Sequence, residues 1–118
     1  MERIKLVFKT CDYVVNENKN VVTAILTAQL YKYMQNTCIL LDENIKAVGI
    51  ARCYRDTFDE TIGKKIARAK AERNAYIEAR NILCDEIRNI NKDISILNTS
   101  IDFFNECIDN QDDYINEF

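Results

Sequence analysis

Eight apolar residues constrain this chain more than anything else in it: Leu83, Ile87, Ile90, Ile94, Leu97, Ile101, Phe104 and Ile108. Their steps alternate four and three, which is a sustained heptad and predicts a long amphipathic helix. Two readings of the stripe stand side by side: the core face of a globular bundle, or a helix–helix seam between protomers. Asn98-Thr99-Ser100 is the best candidate break, because such residues favour caps over helix interiors. The heptad phase nevertheless runs across it, which predicts one continuous helix or two coaxial ones. A helix from residue 59 to about 110 would span roughly 75–80 Å at ~1.5 Å per residue. The segment that precedes it cannot cover that length, so a partner chain is the natural cover.

Little in the composition interrupts long elements. The 118 residues include no proline and two glycines, Gly49 and Gly63. A second stripe, Ala67, Ala71, Ala75 and Ala79, repeats at steps of four, and small residues there let another backbone come close. Helix-start signals precede it. Thr57 or Asp59 can cap, Thr57 and Glu60 have the spacing of a capping box, and Asp59 and Glu60 suit the positive end of the helix dipole.

The N-terminal part reads differently. Ile4 to Phe8 alternates with β-forming residues, Asn16 to Asn20 is polar and turn-like, and Val21 to Tyr31 reads as a long strand. Met34 to Glu43 is ambiguous between a loop and a short helix. Ile45 to Tyr54 is a third strand, with Gly49 marking a bulge or a close backbone approach. The expected fold class is therefore α+β: an N-terminal antiparallel β-sheet of about three strands, packed on long C-terminal helices that form an oligomeric interface. We expect a single domain over residues 1–118, β-rich over 1–56 and helical over 57–118.

Several function classes are disfavoured. With no histidine the usual neutral-pH general base is missing, and no nucleophile motif or glycine-rich phosphate loop occurs. No enzyme, catalytic residue, cofactor or metal site is expected. The five cysteines are scattered without a C-x-x-C pair and read as reduced thiols. A net charge of −3 argues against a nucleic-acid polymer as partner. There is no secretory leader and no run of about 18 apolar residues, so a soluble intracellular protein without a membrane partner is expected.

Charge is segregated. Lys64, Lys65, Arg68, Lys70, Arg73 and Arg80 lie in one stretch against only Glu72 and Glu78, whereas the chain after Ser100 carries acidic residues and no Lys or Arg. One reading is a solvated helix whose opposite ends pair across an antiparallel interface. The other is an anion site at the helix start, where Arg52, Arg55 and the free amides of residues 59 to 62 converge. Tyr54 and Phe58 are nearby aromatics, suited either to packing or to stacking on a base.

The stretch from Gly49 to Ala71 (Gly49-Ile50-Ala51-Arg52-Cys53-Tyr54-Arg55-Asp56-Thr57-Phe58-Asp59-Glu60-Thr61-Ile62-Gly63-Lys64-Lys65-Ile66-Ala67-Arg68-Ala69-Lys70-Ala71) is the distinctive part. A strand enters an acidic-aromatic turn, then a glycine-containing helix start, then an Ala- and Lys/Arg-rich helix. It resembles a common phage and prophage protein pattern. The whole chain resembles the first-described family of Thoeris anti-defence proteins in length, preceding β segment and long helical tail.

That resemblance implies a sponge. It would bind the glycocyclic ADP-ribose signal of bacterial TIR-domain immunity and hold it without degrading it, in the cytoplasm of an infected or lysogenic host. It also implies a homodimer or higher homo-oligomer with ligand sites near subunit interfaces, and in some members a separate site for cyclic oligonucleotide signals. Capture of a diphosphate, two riboses and an adenine needs cations, a π surface and polar groups. Within the matching motif the candidates are Arg52, Arg55, Lys64, Lys65 and Arg68 for phosphate. Tyr54 or Phe58 would serve the base, and Thr57 and Asp59 the hydroxyls or the orientation of an arginine. The alternative is a non-enzymatic structural or interaction protein acting through its helical seam.

Overall fold

A computed structural model describes residues 3–52 and 59–118. It contains strands β1 (Arg3–Asn16), β2 (Val21–Tyr33) and β3 (Cys38–Arg52), followed by one helix, α1 (Glu60–Asn116). The three strands form an antiparallel sheet in the order β1-β2-β3, and α1 follows it, so the fold is α+β. Where long helices were expected there is one, of 57 residues. No hydrophilic break develops at Asn98-Thr99-Ser100. Thr99 Oγ1 donates to the Ser95 carbonyl and Ser100 Oγ to that of Ile96, so both hydroxyls are absorbed within the helix, which continues through this candidate break as the heptad phase predicts.

The strands run further than their alternation suggests. In β1 the register shifts between Phe8 and Thr10. This bulge lets Leu6 and Phe8, then Cys11, Tyr13 and Val15, all pair beside the buried positions of β2. The stretch from Met34 is also corrected: after a tight turn in which Met34 N–H donates to the Thr37 carbonyl at 2.8 Å, β3 begins at Cys38. Two irregularities opposite Leu30 hide this strand in the sequence, and Asp42 Oδ1 stabilises them by accepting from the Asn44 amide at 2.8 Å. The polar turn between β1 and β2 is as expected. Asn16 Oδ1 accepts from the Lys19 amide, and Asn20 adopts a left-handed φ of 53°, which asparagine tolerates.

The chain divides into two compact units, Met1–Asn81 and Ile82–Phe118. In the first, one face of the sheet is buried. Val22, Ala24, Leu26, Ala28 and Leu30 of β2 and Ile45, Ala47 and Ala51 of β3 meet Ala67, Ala71, Ala75 and Ala79 of α1. The alanine stripe thus faces the sheet. Contact is close at Gly49, where a built Cβ would collide with the backbone oxygen of Ala67 and the backbone nitrogen of Ala71 and lie 2.9 Å from Lys70 Cβ. Two side chains of α1 lock the same place: Lys70 Nζ donates to the Ile50 carbonyl at 3.0 Å and Asn74 Nδ2 to the Val48 carbonyl at 2.8 Å.

The second unit is helix alone up to Asn116. Most of the heptad lies exposed there, from Ile87 (58%) through Leu97 (62%) to Ile108 (56%). No helix among the described residues is long and apolar enough to cross a membrane.

Because Gly49 meets helix backbone rather than a side chain that can swing away, Gly49→Ala is expected to destabilise the fold. Overpacking of this kind costs about 1–3 kcal/mol. Chemical denaturation followed by circular dichroism checks it, and an unchanged midpoint would refute the close approach.

Candidate functional site

The basic half of α1 meets the sheet along its β1 flank. Asp59 caps the helix, its Oδ1 accepting from the Ile62 amide at 3.1 Å, while the Gly63 amide donates to the Asp59 carbonyl. One turn on, Lys64 Nζ lies 5.5 Å from the centroid of the Tyr13 ring. One turn further stands Arg68, whose charge reaches the Tyr13 phenol, and the Cys11 side chain lies beside the same phenol. The steps of four place Lys64, Arg68 and Glu72 on one line of the helix. The bulge in β1 places Cys11 and Tyr13 on the face that looks toward it.

Each cation already has a carboxylate. Lys64 Nζ is 3.0 Å from Glu60 Oε1, and Arg68 Nε is 2.9 Å from Glu72 Oε1. Both pairs are exposed i,i+4 contacts, worth only about 0.3–0.5 kcal/mol. A charge-assisted bond to an incoming anion contributes about 1.5–3 kcal/mol, so such a ligand can displace them. The Arg68 guanidinium is held further in its charged form, first by Glu72 and then by the Tyr13 hydroxyl. The Tyr13 phenol is pushed above the ordinary tyrosine value, first by its hydrogen bond with Cys11 and then by loss of solvent, with Arg68 opposing.

The other expected site residues fall differently. Lys65 is exposed on α1 beside Lys64. Arg52 ends β3 opposite Val21, and it alternates with the buried Ala51, so it occupies the sheet face that α1 does not cover. It does not join the Lys64–Arg68 pair. Asp59 is engaged as a cap, and with Glu60 it puts negative charge at the helix start, which competes there with a phosphate. Tyr54, Arg55, Thr57 and Phe58 lie outside the described residues. Tyr13, Cys11, Glu60 and Glu72 were absent from the sequence-based set. The i,i+4 spacing of Glu60 with Lys64 and of Arg68 with Glu72 signals the carboxylates. Tyr13 and Cys11 required the β1 bulge.

Tyr13 supplies a pH test. The folded state holds its proton more tightly than the unfolded state. Its contribution to stability is therefore complete below the ordinary tyrosine pKa and is lost as pH rises through the raised one. Ultraviolet titration should show Tyr13 ionising late, and Cys11→Ala should bring that ionisation back toward the ordinary value. Identical titrations of the two proteins would remove the Cys11–Tyr13 bond from the account.

Comparison with protein-family models, with curated proteins and with solved structures finds no match for this chain.

Proposed function

We propose that the protein is a non-catalytic sponge for a cyclic ADP-ribose-type signal, glycocyclic ADP-ribose, in the cytoplasm of a phage-infected or lysogenic bacterium. The observation that carries this reading is Lys64 Nζ standing 5.5 Å from the centroid of the Tyr13 ring, with Arg68 one turn further along the same line of α1. A nucleotide with a diphosphate asks for paired cations beside a π surface. The cluster offers both, on a helix and a strand rather than on a loop, and the two cations sit one helical turn apart. Lys65 extends the positive edge. The sequence resemblance supplies the ligand's identity, and the site supplies only its class. A sponge holds its ligand unchanged, a task for which no acid–base pair or nucleophile is needed.

The exposed apolar stripe of α1 favours a second component of the same reading: the protein self-associates as a homodimer or higher oligomer through this seam. Isolated apolar side chains on a surface are ordinary, but a contiguous heptad of them is the pattern of a helix with a partner. The alternative role, a structural or interaction protein without a nucleotide ligand, would use the seam alone.

Calorimetric titration with glycocyclic ADP-ribose separates these readings. Binding heat is expected, with the ligand recovered intact after the complex is heated. Arg68→Ala and Tyr13→Ala should each weaken binding about tenfold or more, which corresponds to about 1.4 kcal/mol or more. Absence of heat, or a cleaved ligand, would refute the sponge. Light scattering at micromolar concentration should give at least twice the chain mass, and a monomer would refute the seam.

A further inference from the structure

Beyond self-association, on which this inference rests, the pattern along α1 points to the orientation of the second copy. We infer that two α1 helices pair antiparallel, with the acidic end of each seated on the basic groove of the other. Written as a heptad, the a positions of the second unit are Ile87, Ile94, Ile101, Ile108 and Ile115. The d positions are Leu83, Ile90, Leu97, Phe104 and Gln111. Carried back without a change of phase, the same line passes through Arg80, Tyr76, Arg73 and Ala69. Those residues, with Ile77 and Glu72, line an open groove of about 470 Å³ on α1. Tyr76 is 56% exposed there, although its ring meets Phe8 edge-on at 5.5 Å. The heptad phase of the second unit, continued through the sequence of α1, thus coincides with the residues of a groove in the first unit that holds two arginines and one aromatic wall.

In an antiparallel pair a positions layer against d positions. One such alignment places Ile94 on the partner's Leu97, Ile90 on the partner's Ile101, and Ile87 on the partner's Phe104. Leu83 then meets the partner's Ile108, and Tyr76 meets the partner's Ile115. Arg80 falls opposite the partner's Gln111, so the polar layers of the seam meet each other. A shift by one heptad sets Gln111 against Ile87 in one direction and Arg80 against Phe104 in the other, so either buries a polar group against an apolar side chain.

Charge selects the same orientation. From Asp102 to Glu117 the helix and its end carry six acidic residues and no basic one, and the last turn has no cation to answer the negative end of the helix dipole. A parallel partner would lay six more acidic residues alongside. An antiparallel partner brings Arg73 and Arg80, with Asp112 falling between them. At the flanking positions no like charges meet: Glu86 faces the partner's Cys107, Asp93 the partner's Ser100, and Cys84 the partner's Asn105.

The last of these pairs gives the experiment. Asn105→Cys is a single exposed substitution in the full chain. Mild oxidation should yield a covalent dimer, and peptide mapping should find Cys84 of one copy joined to the new thiol of the other. In a parallel pair these positions stand about 30 Å apart at ~1.5 Å per residue. A charge-reversal pair gives a second measurement on unoxidised protein. Arg80→Glu and Asp112→Lys should each weaken the dimer about tenfold, and the double variant should recover to within about threefold of the parent. A dimer with Cys84 linked to Cys84, or additive charge reversals, would overturn the antiparallel orientation while leaving self-association intact. A parent protein that is monomeric would overturn both.

Discussion

The approach of the α1 backbone to β3 at Gly49 governs the first unit. A helix can rest this near a sheet only if neither surface carries bulky side chains at the contact. The sheet offers glycine there, and the helix offers alanine at Ala67 and Ala71. The same requirement extends along the interface. Beyond Val22, Leu26, Leu30 and Ile45, the buried residues among those described are Gly49 and alanines from both elements. The core is consequently thin, and the hydrogen bonds of Lys70 and Asn74 to β3 carbonyls can form because the helix lies within reach of the strand backbone. Dispersion between closely packed backbones here does what large side chains do in thicker cores.

A thin interface fixes the lateral position of α1 with little freedom. Lys64 and Arg68 arrive at Tyr13 because Ala67 and Ala71 are pinned over Gly49. Rotation of the helix would move the cations and the alanines together. The cluster is therefore preorganised by packing rather than by its own weak, exposed ion pairs, which suits binding without a large ordering cost. Within the first unit, the helix surface left over after the alanine stripe is satisfied carries the basic groove.

What could be read from the residues follows from how local each signal is. The alanine stripe, Gly49, the Asn16–Asn20 turn and the unbroken heptad are patterns of one element with itself, and each was legible. The second half of β1 was not, because the bulge at Lys9 moves the inward positions from even to odd numbers, so Cys11, Tyr13 and Val15 seem out of phase with Leu6 and Phe8. Residues 38 to 44 were obscured in the same way by the irregularities opposite Leu30. Within the site, the helical cations stand out in the sequence as a run of Lys and Arg after Gly63. Tyr13 was not, since its neighbours are set by strand register and helix placement. Arg52 looked like part of the helix-start cluster by sequence distance, but strand alternation sends it to the far face.

The hydrogen bonds from Lys70 and Asn74 have a further result for how copies of this chain can combine. Among the described strands β3 lies at a sheet edge, and unpaired edge backbone is a template for another strand. Two of its carbonyls, those of Val48 and Ile50, already accept from the helix. A docking strand would meet that helical clasp, an ammonium and an amide bonded to the backbone of the border strand. Extension of the sheet from copy to copy, the route toward fibres, is thereby discouraged at this border.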